Sequence, residues 1–197
     1  MSELSLGTLS GLAANSFVVD VAAGSTLDLS AGAVFPAGSI LQVVSTTKTD
    51  TFTASLGLAV FTPLTGLTAT ITPASASSKI LVMVDIGAIS GPSYGDFGAK
   101  IYDGTSFIGV GDAAGVRPQV NSGATGTTGT GGTYISNNAS FTVEHTPGDT
   151  SARTYSVYVS HGTNGTATVY VNRSPNDLDI AVYMRSSSTI TLMEVAG

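Results

Sequence analysis

The chain contains no cysteine, which excludes disulfides and thiolate metal sites and leaves the redox compartment unmarked. Charge is scarce as well: Asp, Glu, Lys and Arg make up 10% of 197 residues, against the ~25% of an ordinary soluble domain. Cations are the scarcer sign, with seven Lys and Arg against thirteen Asp and Glu and a formal net charge of −6. No cationic face is available to neutralise phosphates, so nucleic acid and anionic membrane are excluded as main partners. No apolar run reaches the ~18 residues of a membrane span. The N-terminal MSELSLGTLSGLAANSFVV has neither the basic n-region nor the apolar h-region of a secretory signal, which predicts a soluble protein. Helical periodicity never extends beyond about two turns.

In place of charge the chain carries Ser, Thr, Asn and 24 glycines, with 42% hydrophobic residues in short β-branched runs. Tyr155, Val157 and Val159 alternate with polar neighbours, as do Ala167, Val169 and Val171, and Ile180, Val182 and Met184. Period two marks strands with one buried face. The continuous run Lys79–Val84 reads as a strand buried on both sides. Turn signals recur at the ~8–12-residue spacing of sandwiches and barrels, among them Thr72-Pro73, Asp103-Gly104, Pro147-Gly148 and Ser174-Pro175-Asn176. Asn164-Gly165, between two alternating segments, predicts a hairpin. The expected fold is all-β, about eight to ten strands in a jelly-roll-like two-sheet sandwich over residues 39–197. Residues 1–38 read as a short extended or β arm and linker, too small to bury a core of their own. Its apolar positions Phe17, Val19, Val21, Leu27 and Leu29 are the expected assembly contacts.

Several motifs could carry chemistry, and each has a plainer reading. Gly91-Pro92-Ser93-Tyr94-Gly95 spells G-x-S-x-G, but a nucleophile elbow needs a strand before the serine and a helix after it. No helical pattern follows Ser93, so it reads as a turn residue. The glycine-rich residues 123–132 lack the Lys-Ser/Thr ending and the helix of a phosphate-binding loop and read as a surface loop. Asn176, Asp177 and Asp179 are too few oxygens for calcium, and Glu144, His145 and Asp149 make a thin metal signal. Arg117, Arg153, Arg173 and Arg185 are expected to pair with Asp112, Asp149, Asp177 or Asp179. Asn138, Asn164 and Asn172 head N-x-S/T triplets that read as chance matches. No catalytic residue, cofactor or metal ligand is assigned.

A succession of segments carries a resemblance: AGSILQVV (37–44), TDTF (49–52), GLTATITP (66–73) and SKILV (78–82), then GVGDAAG (109–115), DTSARTY (149–155), VYVNRS (169–174) and STITLMEVAG (188–197). In this order they resemble a C-terminal β-sandwich domain of virion structural proteins of tailed bacteriophages, especially aquatic, cyanophage-like ones. The likeness covers about residues 37–197, each piece being short. It implies a fibre, spike or head-decoration protein, a homotrimer of sandwiches located in the virion and assembled in the host cytoplasm, with no active site. Many relatives carry the domain at the end of a long fibre protein, whereas a short arm precedes it here. The chain shows neither repeat nor heptad to build a shaft. The expectation is therefore a non-enzymatic capsid decoration (cement) protein or short head fibre, bound to the major capsid protein or other virion proteins by its arm. The alternative is a short tail fibre or spike that binds a host surface receptor or glycan. Its expected contact loop includes Tyr94, Thr127, Thr128, Thr130 and Tyr134, with Tyr102 as a further stacking group. A serine esterase or glycan depolymerase is the remote alternative; the three glutamates Glu3, Glu144 and Glu194 offer no good carboxylate pair for it.

Overall fold

A computed structural model describes residues 35–91, 96–124 and 136–197, all within the compact unit Phe35–Gly197. Eleven strands and no helix occur among them. They are β1 (Ile40–Lys48), β2 (Phe52–Leu56), β3 (Thr62–Ile71), β4 (Lys79–Ser90), β5 (Phe97–Tyr102), β6 (Phe107–Ile108), β7 (Ser122–Ala124), β8 (Asn137–His145), β9 (Arg153–Ser160), β10 (Ala167–Val171) and β11 (Ser188–Val195). The count exceeds the sequence expectation because β6 and β7, two and three residues long, are too short to show alternation.

The strands form two antiparallel sheets that pack face to face. In the six-stranded sheet β4 is central, with β8 along one edge and β11, then β10, along the other; β1 lies outside β11 and β2 outside β10. The second sheet runs β3-β9-β5-β6, with β7 also on β5. Register explains the core. Val44, Leu192, Val82 and Val143 are successive cross-strand partners over β1, β11, β4 and β8, one inward row of the large sheet. Opposite it, Ile101 pairs with Val157 and Ala99 with Val159. Leu67, Ile80, Val82, Ile101, Val157 and Leu192 are fully buried between the layers, where each large aliphatic side chain contributes about 1.5–3 kcal/mol.

Three sequence expectations need correction. Asn164-Gly165 does form a turn, Gly165 taking φ +85°, but it makes no hairpin. β9 belongs to the second sheet and β10 to the first, so the connection crosses the sandwich. The Lys79–Val84 run is buried on one face only: Ile80, Val82 and Val84 point into the core, while Leu81 and Met83 on the other face are half-buried. Ile180, Val182 and Met184 form no strand. They lie in the irregular connection 172–187 and are 54%, 73% and 80% exposed. Alternation there has no neighbouring strand to pair with, and a single extended segment leaves its backbone groups unsatisfied without one.

Asn172 explains how that connection is tied down. The residue is fully buried and sits at φ +61°, a left-handed conformation that asparagine tolerates better than most residues. Its amide nitrogen donates at 3.0 Å to both the Lys48 and Asp50 carbonyls, and its Oδ1 accepts from the Ser188 hydroxyl at 2.6 Å. Its backbone N–H reaches the Ala88 carbonyl in the β4 bulge. One side chain thereby joins the β1–β2 turn to the ends of β10 and β11. Beside it, a Cβ on Gly87 would lie 2.2 Å from the Ser187 carbonyl oxygen, so this close approach requires glycine.

Candidate functional site

The outward face of the second sheet carries the most distinctive chemistry among the described residues. Strand alternation that turns Ala99 and Ile101 inward turns Gly98, Lys100 and Tyr102 outward on β5, while Tyr158 faces outward on β9 directly opposite Lys100. Phe107 on β6 pairs with Tyr102, and Phe61 stands just before β3. The rings interlock: Tyr102 and Phe107 have centroids 5.3 Å apart, Phe107 and Tyr158 5.3 Å, and Tyr102 and Tyr158 5.6 Å. The Lys100 ammonium rests 3.8 Å from the Phe61 centroid and 4.7 Å from that of Phe107, cation–π distances on both rings. Burial under these rings holds its pKa below the ordinary lysine value. Among the described residues Lys100 meets no carboxylate, whereas Lys48 pairs with Asp50 and Lys79 with Glu144.

Phe61 and Gly98 also line a hollow of about 230 Å³, with Val120, Pro118, Ser160 and His161 around it. A Cβ on Gly98 would come within 3.0 Å of the Val120 side chain and 3.3 Å of Phe61, so the bare backbone keeps this hollow open beside the ring cluster.

A second polar assembly bridges the two sheets, running from the buried Asp103 to the half-exposed Asp149. Asp103 accepts the Thr105 and Ser106 N–H groups at 2.8 and 2.7 Å and pairs with Arg153 at 3.0 Å, while Arg153 also binds Asp149 at 3.0 Å. His145 Nδ1 is 2.8 Å from the Tyr155 hydroxyl, and its Nε2 is 3.6 Å from Asp103. Burial works to raise the Asp103 carboxyl, but the two N–H donors, His145 and Arg153 outweigh it and hold the pKa below the usual carboxylate value. Burial lowers the His145 pKa, with Asp103 opposing and Arg153 assisting. Burial also raises the Tyr155 hydroxyl above the ordinary tyrosine value. Because β8 lies in one sheet and β9 in the other, this network clamps the two layers together. Glu194, also fully buried, performs a similar stitch, accepting from Ala74 N–H at 2.7 Å and from Gln42.

The sequence candidates fall as follows. Phe17, Val19, Val21, Leu27 and Leu29 of the arm, and Tyr94, Thr127, Thr128, Thr130 and Tyr134 of the expected contact loop, lie outside the described residues, as does Ser93. His161 is committed: Nε2 is 2.7 Å from the Leu56 carbonyl, and Nδ1 accepts the Thr163 N–H at 3.2 Å. The ring therefore offers no free nitrogen to take a proton from a serine. Glu144 and His145 cannot share a metal, because successive strand residues face opposite ways; Glu144 turns outward to Lys79, 2.9 Å away. Asp177 is an ion-pair hub, held by Arg185 at 2.8 Å and Arg173 at 3.4 Å, which meets the expected pairing for these two arginines, as Arg153 with Asp149 does for a third. Arg117 pairs with no carboxylate among the described residues. No group of three potential metal ligands occurs among the described residues. Asn172 is too buried to accept a glycan.

Sequence reading picked out Tyr102 but missed its partners, which come from four separate segments. The available signal was aromatic residues on the outward positions of neighbouring strands, at Tyr102 and Tyr158. No protein-family model matches the chain, and a search of curated proteins finds no match.

Proposed function

We propose that this chain is a non-enzymatic structural protein of a tailed-bacteriophage virion, a homotrimeric capsid decoration (cement) protein or short head fibre that binds the major capsid protein through its N-terminal arm. The observation that carries this reading is the run of large apolar side chains exposed on the 172–187 connection. Leu178, Ile180, Val182 and Met184 are 54–80% exposed on a body with 10% charged residues. Exposed apolar side chains gathered in one segment mark a protein-binding surface, and a second or third copy is the partner always at hand.

The strand order supports a jelly-roll reading of the sandwich. With β6 and β7 taken as one strand, and the five-residue strands β2 and β10 set aside as an extension of the larger sheet, eight strands remain: β1, β3, β4, β5, β6 with β7, β8, β9 and β11. The first, eighth, third and sixth then form one sheet and the second, seventh, fourth and fifth the other, the order of two interleaved Greek keys. Side-by-side jelly rolls around a threefold axis bury one flank of each protomer and need few surface charges.

Mass spectrometry and electron cryomicroscopy of the particle encoded by the same genome test the reading. The expected result is the protein present in threefold clusters over the shell; its absence from purified particles contradicts it. A second reading, a short tail fibre or spike that binds a host glycan, is favoured by the ring cluster around Lys100. Threefold clusters confined to the tail distinguish it.

A further inference from the structure

We propose that the outward face of β5, β6 and β9 is a binding site for an acidic glycan, with Lys100 engaging a uronate carboxylate and the Phe61, Phe107, Tyr102 and Tyr158 rings stacking against the sugar. The inference names a ligand for the second reading above, but it rests on the geometry of this face and holds for a decoration protein equally well.

Four observations support it. The Lys100 ammonium is fixed by two ring faces and has no carboxylate partner among the described residues. Burial of this cation has removed part of its hydration, so an arriving carboxylate meets little competing water and forms a charge-assisted bond. The Tyr102 and Tyr158 hydroxyls make no hydrogen bond with a described residue and stand at the partly exposed rim, suited to sugar hydroxyls. The neighbouring hollow of about 230 Å³ lies below the ~300 Å³ floor of sites for drug-sized ligands, which fits a single sugar ring.

Size discriminates against a protein partner here. Only Phe107, at 38%, is markedly exposed among the four rings, so the rings themselves supply little of the roughly 500 Å² per side that a specific protein interface needs. Charge discriminates against long-range capture. The net charge of −6 repels polyanions at a distance, but a Debye length of about 8 Å at physiological salt leaves the direct contact to Lys100 intact. One ion pair also predicts a shallow salt dependence, unlike a polycationic surface.

The test is calorimetric titration of the full chain with an oligogalacturonate, a maltooligosaccharide and an oligoglutamate. The expected result is saturable oligogalacturonate binding that falls about tenfold or more in Lys100→Gln. The neutral sugar and the acidic peptide should bind at least about tenfold more weakly than the oligogalacturonate. Phe107→Ala should weaken the same ligand, and if that variant melts early, Lys100→Gln decides alone, since it keeps the stem on the rings. No oligogalacturonate binding, equal binding by Lys100→Gln, or equal binding of oligoglutamate overturns the proposal. Each of these results leaves the location and trimer experiments untouched, so the two readings fail separately.

Discussion

At the residue scale, the unusual positions are buried polar groups whose partners come from distant strands. Asn172→Asp tests one of them cleanly. Aspartate also tolerates the left-handed backbone, so the substitution leaves the backbone conformation alone, removes both amide donors and faces a buried carboxylate toward the Lys48 and Asp50 carbonyls that the amide now satisfies. The expected loss is about 3 kcal/mol, read as a melting temperature lower by about 6–12 °C. Titration makes a related prediction. His145, Asp103 and Glu194 all have pKa values below their ordinary 6.5, 3.8 and 4.5. For Glu194, burial opposes the shift and the Ser78, Gln42 and Ala74 donors win. In each case the unfolded chain binds the proton more tightly, so stability falls as pH falls. The melting temperature should be level between about pH 7 and 9, decline gently below 6.5 and steeply below 4.5. It should fall again above about pH 10, where the unfolded chain gives up the tyrosine proton that burial keeps on Tyr155. His145→Gln should remove the first decline and keep the second; a maximum in acid would contradict the assignment.

At the element scale, alternation located strands but could not place them in sheets. Val169 and Val171 fit the pattern and are fully buried; Ile180 and Val182 fit it equally and are exposed. The difference is pairing, which is non-local: β10 finds β2 and β4, whereas residues 178–184 find no strand. The same limit produced the Asn164-Gly165 error, because two-residue turn chemistry looks alike whether the chain doubles back or crosses between layers. Two residues inserted at that turn should cost less than about 1 kcal/mol, since a crossing connection lengthens at small entropic cost whereas a hairpin would lose its register. A drop of several kcal/mol in chemical denaturation would show that the turn sets the β9–β10 geometry. The candidate site was legible in part. Tyr102 was legible only as a further stacking group for the contact loop, because a cation held between Phe61 and Phe107 depends on contacts between β5, β6 and the segment before β3.

At the scale of the whole molecule, scarcity of charge and an exposed apolar segment point the same way. A body with so few ionic groups has little to hold copies apart, and Leu178, Ile180, Val182 and Met184 offer what a self-association surface needs. Val182→Glu is expected to weaken association while leaving the melting of the protomer within about 0.5 kcal/mol of the parent, because the side chain packs against little of its own chain. Sedimentation velocity of the parent and this variant over a wide concentration range tests the account most directly. The prediction is a single species near three times the 19.7 kDa chain mass, shifting toward one chain mass in Val182→Glu. A parent that sediments as a 19.7 kDa monomer at every concentration would contradict it.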